Sequence, residues 1–89
     1  MNDEDAAAND TQVYLYVMAR HLADQRWHVF QVSEESPRIT LAGSVASYDD
    51  ARKLATRDKR PLRIAEQAWR QMRDAGVAPA KVPDDVTIG

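Results

Sequence analysis

The sequence predicts a small α+β domain: an antiparallel three-stranded meander followed by two helices packed on one face, in the order β-β-β-α-α. Three observations predict it. Residues 12–45 hold three runs rich in β-branched and aromatic side chains that alternate with period two. Residues 47–76 form a block with helix start, break and stop signals. The strands come first and the helices after them, an order that argues segregated rather than alternating layers.

Asp3, Glu4, Asp5 and Asp10 make residues 1–10 an acidic leader with no Lys or Arg to balance it, and such a segment is expected to be disordered and solubilising. A tail that docks on or shields a basic surface is its functional alternative. The single domain is expected over 11–77, with 78–89 as an extended C-terminal tail containing Pro79 and Pro83. Val86 and Ile88 are able to pin that tail to the body or to add an edge strand, a less favoured outcome.

The first run, QVYLYVMAR over 12–20, admits two readings. As a strand it places Val13, Leu15, Val17 and Ala19 on one face and Tyr14, Tyr16 and Met18 on the other. As a helix it lines up Leu15, Met18, Ala19 and Leu22. The density of β-branched and aromatic residues favours the strand. The second run, RWHVFQVS over 26–33, sets Trp27, Val29 and Gln31 against His28, Phe30 and Val32. The connection between these runs lacks Gly and Pro, so a tight two-residue hairpin is not signalled. EESPR over 34–38 is a polar turn. RITLAGSV over 38–45 is the third strand, with Ile39, Leu41 and Val45 on one face and Gly43 marking a bulge or a close approach.

Ser47, with Asp49 and Asp50 behind it, reads as the N-cap of a helix over 48–58 with a stripe of Ala51, Leu54 and Ala55. Pro61 interrupts the block, costs little at a first helical position and pushes residue 60 toward extended geometry. A second helix is therefore expected over 61–75, with one kinked helix as the rival. Its stripe is Leu62, Ala65, Ala68, Trp69 and Met72. Gly76 suits the left-handed position after the last turn, with Val77 folding back on Met72.

Composition narrows the function classes. The 89 residues carry a net charge of −2 and no cysteine, which excludes disulfides, thiolate nucleophiles and Cys-based zinc sites. No run is long and apolar enough for a membrane span, and the acidic start is unlike a secretory signal, so a cytoplasmic protein is expected. The three glycines are too scattered for a phosphate loop. His21, Asp24 and His28 are the one set of metal-compatible side chains, but their spacing matches no established site. Ser33, Glu34 and Glu35 near His28 are commonplace loop chemistry. No enzyme, cofactor or metal is expected.

Two features point to binding. Tyr14, Tyr16, Met18 and Phe30 make the second sheet face apolar as well, and two helices most easily cover only one face. Large uncovered apolar patches are rare on monomers. A protein-interaction module is therefore expected, a self-associating homo-oligomer or an adaptor or inhibitor of another protein. The second feature is charge: between Ala51 and Arg73 stand eight Lys or Arg against two acids. Arg52, Lys53, Arg57, Arg60 and Arg63 are the candidate residues of an alternative, a nucleic-acid-binding regulator. The acidic overall balance makes that the weaker expectation.

Overall fold

The computed structural model describes residues 13–21, 23–33 and 38–89. The acidic leader and most of the EESPR turn lie outside the described residues. The chain order is β1 (Val13–His21), β2 (Arg26–Ser33), β3 (Ile39–Val45), α1 (Tyr48–Asp58), β4 (Leu62–Ile64), α2 (Glu66–Asp74) and β5 (Val86–Ile88). These strands form one five-stranded mixed sheet in the order β3-β2-β1-β4-β5. The expected three-stranded antiparallel meander is thus corrected: β1 is the central strand, antiparallel to β2 but parallel to β4, and β5 runs parallel beyond β4.

The correction has a local part and a long-range part. Helix α1 starts as its sequence dictates, with the Ser47 hydroxyl accepting from the Asp50 N–H at 3.2 Å. It stops at Lys59, whose φ of 56° is left-handed, and the Arg60 N–H returns to the Ala55 carbonyl at 3.0 Å. Pro61 disfavours helical geometry at the preceding Arg60 and has no N–H to continue the helix. Leu62 and Ile64 then bury on alternate positions with Arg63 between them, a period of two that a three-residue window barely reveals. The deciding force is the second edge of β1. Its N–H and C=O groups need partners, and the Leu15 N–H donates to the Pro61 carbonyl at 3.0 Å while the Ala65 N–H donates to Val17 at 2.9 Å. The helix expected over 61–75 therefore begins only after Ala65. It ends as the sequence signals, with Gly76 at φ 76° and the Val77 N–H on the Met72 carbonyl at 2.9 Å.

The expected tail supplies the fifth strand. Val86, Thr87 and Ile88 pair with Leu62, Arg63 and Ile64, and α2 is the crossover between the two parallel strands. Asp85 ties this segment to α1 through a 3.0 Å ion pair with Arg52. Burial first, and then the Asp85 carboxylate, push the Tyr48 hydroxyl above its ordinary pKa.

Both helices bury their apolar residues in a single cluster. Ala51 and Ala55 of α1 and Ala68, Trp69 and Met72 of α2 meet Leu15, Val17, Trp27, Val29, Leu62, Ile64 and Val86 from the sheet. Tyr48 and Trp69 meet edge to face, with ring centroids 5.8 Å apart. No helix among the described residues is long and apolar enough to cross a membrane.

One consequence concerns Lys59. A left-handed non-glycine residue costs about 1–2 kcal/mol of local strain, partly offset by the freer unfolded chain that glycine brings. Lys59→Gly should therefore stabilise the fold by about 0.5–1 kcal/mol in urea denaturation. An unchanged or lower midpoint would show that residue 59 is not held at positive φ.

Candidate functional site

The pleat sends every second side chain of β2, and of β1 as far as Val17, away from the helices; a register shift between Val17 and Arg20 then leaves Ala19 exposed and sets Arg20, in place of the expected Ala19, opposite Trp27. Tyr16 stands opposite Phe30 and Tyr14 opposite Val32 across the β1–β2 ladder. Tyr14, Tyr16, Met18 and Phe30 all lie outside the cluster that the helices cover. Met18 is exposed, while Tyr14, Tyr16 and Phe30 are half-buried. Tyr14 and Tyr16 contact edge-on, with centroids 6.3 Å apart. The Tyr16 hydroxyl donates to the Gly89 carbonyl at 3.2 Å, which anchors the ring to the strand-β5 side of the sheet.

The face extends in both directions beyond the residues legible from sequence. Toward β4, Arg63 shares a register position with Tyr16 and sets its guanidinium 4.2 Å from the centroid of the Tyr14 ring. Toward β3, Phe30 pairs with Leu41 and Val32 with Ile39. Ile39 and Leu41 are 60% and 59% exposed, the most exposed large apolar side chains among the described residues. The sequence placed Ile39, Leu41 and Val45 on one face. The structure separates them: Ala42 is an extra residue between the Leu41–Phe30 and Gly43–Val29 pairs, so Val45 turns to the core while Ile39 and Leu41 stay on the open side. Gly43, at φ 155°, marks the bulge that its position signalled.

His21 and His28 close one end of this face. Their rings stack at 5.2 Å, and His28 continues to Phe30 at 6.1 Å. His21 Nδ1 lies 3.3 Å from Asp24 Oδ1. Desolvation alone would raise the Asp24 carboxyl, but the Arg26 N–H and the two imidazoles outweigh it and hold that pKa below its ordinary value. Among the described residues no group of three His, Asp or Glu side chains is placed to hold a metal ion. The stacked rings add flat aromatic surface to the open face.

The basic residues do not assemble into one stripe. Arg52, Lys53 and Arg57 share the outer side of α1, and each has an acid beside it: Asp85 at 3.0 Å, Asp49 at 3.3 Å and Asp58 at 2.9 Å. Arg60 lies past the end of the helix, and Arg63 points to the opposite side of the sheet with Tyr14. Arg70 and Arg73 have Glu66 and Asp74 as neighbours. A surface that must release condensed counterions from a phosphate backbone needs cations that are not already neutralised, and these pairs neutralise much of the block's excess charge.

Comparison of the chain with protein-family models, curated proteins and solved structures finds no match to any of them. Function rests on the geometry alone.

Proposed function

We propose that this chain is a non-enzymatic protein-interaction module whose recognition surface is the open face of the sheet. The observation that supports it is the pairing of two unlike sheet faces. One is sealed by both helices. The other carries Tyr14, Tyr16, Met18 and Phe30, flanked by His28, Ile39, Leu41 and Arg63, and among the described residues no helix packs on it. Aromatic rings with an arginine at the margin are the composition of binding hot spots: rigid, large in contact area and provided with polar handles. Protein is the favoured partner class, because the face mixes aromatic and aliphatic side chains and the neutralised cations on α1 offer little to a phosphate backbone.

Tyr16 is the residue to change, since it sits at the centre of the Phe30–Tyr16–Arg63 row. Tyr16→Glu should keep the circular dichroism spectrum and alter stability by about 1 kcal/mol or less, the scale of one surface hydrogen bond and one cross-strand pair. Proteins recovered from a source-organism lysate on immobilised wild-type chain should be lost on Tyr16→Glu. A variant that unfolds would place Tyr16 in the core. Equal recovery on both forms, or none on the wild type, would likewise contradict the assignment.

A further inference from the structure

The two edges of the sheet are unlike. Strand β5 is only three residues long. Short edge strands resist pairing with another chain. Strand β3 is seven residues long and contains no charged residue and no proline. Residues 39–42 are all exposed. An uncharged, unprolinated edge with large apolar side chains invites another strand. The bulge at Ala42 disrupts the ladder beyond that point, so the pairing-competent part of the strand is residues 39–42, with the charged Arg38 just outside it.

We infer that a second copy of this chain pairs with that edge, β3 against β3 in antiparallel register about a two-fold axis through Thr40. The inference rests on the interaction-module assignment and adds a partner to it. The stretch is complementary to itself in that register. Ile39 of one copy stands beside Leu41 of the other, so the two most exposed aliphatic side chains cover each other on the open face. Thr40 meets Thr40, a favourable cross-strand pair. Arg38 meets Ala42, whose small side chain leaves room for the arginine stem, and no like charges oppose. An isologous contact of this kind closes as a dimer and does not propagate. The product is one continuous ten-stranded sheet. All four helices lie on one side, and two aromatic faces lie side by side on the other, so a dimeric or extended partner meets both at once.

The chain has no cysteine, so one introduced thiol reports the register without interference. Sedimentation velocity at high micromolar concentration should show a dimer for the wild type and for Tyr16→Glu. Thr40→Lys, which sets two ammonium groups directly opposite each other, should weaken that dimer roughly tenfold or more. Under mild oxidant, Thr40→Cys should form a disulfide-linked dimer, since opposed strand positions bring Cβ atoms within reach of a disulfide. Thr87→Cys, on the other edge, should not. A wild-type monomer at that concentration, with no link through residue 40, would overturn the second-copy assignment; the open-face assignment would then be decided by the Tyr16→Glu lysate comparison alone. A dimer that Tyr16→Glu disperses and Thr40→Lys leaves intact would show that the copies meet face to face. That result would overturn the edge pairing and leave the open face as the recognition surface.

Discussion

Trp69→Ala should cost about 3–5 kcal/mol of unfolding free energy. Trp69 is 3% exposed on α2 and meets the Tyr48 ring of α1 edge to face. It is therefore the side chain through which the two helices hold each other while both lie on the sheet. Truncation removes the largest apolar group of α2 and leaves a void that Ala51, Ala55 and Ala68 are too small to fill. A chain of this size carries of order 5–10 kcal/mol of total stability, so the loss removes a large share of it and lowers the denaturation midpoint steeply. Trp27 remains as the fluorescent reporter, and guanidinium titration followed by far-UV circular dichroism gives the second probe. A loss under about 1.5 kcal/mol would mean that α2 is not seated as described.

Ile64→Ala should cost about 2–4 kcal/mol, and Arg63→Ala about 1 kcal/mol or less. Ile64 is fully buried, held in β4 between β1 and β5, while Arg63 points to the open face beside Tyr14. Burial of both Leu62 and Ile64 with Arg63 between them on the other face is the signature of a strand. The pair tests the largest departure of the fold from the sequence pattern, since a helix over 61–75 would give Leu62, and not Ile64, the greater share of the apolar stripe. Equal costs at 63 and 64 in matched urea titrations would contradict the strand.

Much of the fold was written locally. The alternation in VYLYV and WHVFQV fixes β1, β2 and their two faces, and Ser47 and Gly76 announce the ends at which they stand. What was not legible is non-local. Leu62, Arg63 and Ile64 are too few to show a period, and Leu62 extends a helical stripe into Ala65, Ala68, Trp69 and Met72. Only the unpaired edge of β1, some 45 residues away in sequence, draws them into the sheet. Val86–Ile88 is a strand for the same reason, since β4 in turn presents an edge. The candidate site divides similarly. Tyr14, Tyr16 and Phe30 follow from alternation, and Met18 stands where the register of β1 shifts. Ile39 and Leu41 were set on one face with Val45 because Gly43 signals a bulge without saying which residue is displaced, and Arg63 reaches the site only because β4 is a strand. The five basic residues grouped by sequence proximity part because α1 and β4 face opposite sides of the sheet.

The most direct test of the open aromatic face uses the three tyrosines of the chain. Limited nitration with tetranitromethane, read by peptide mass spectrometry, should modify Tyr14 and Tyr16 well before Tyr48, which is buried between α1 and α2. Protection of Tyr14 and Tyr16 equal to that of Tyr48 in the monomeric chain would contradict the assignment, because the second side of the sheet would then be sealed by the chain itself.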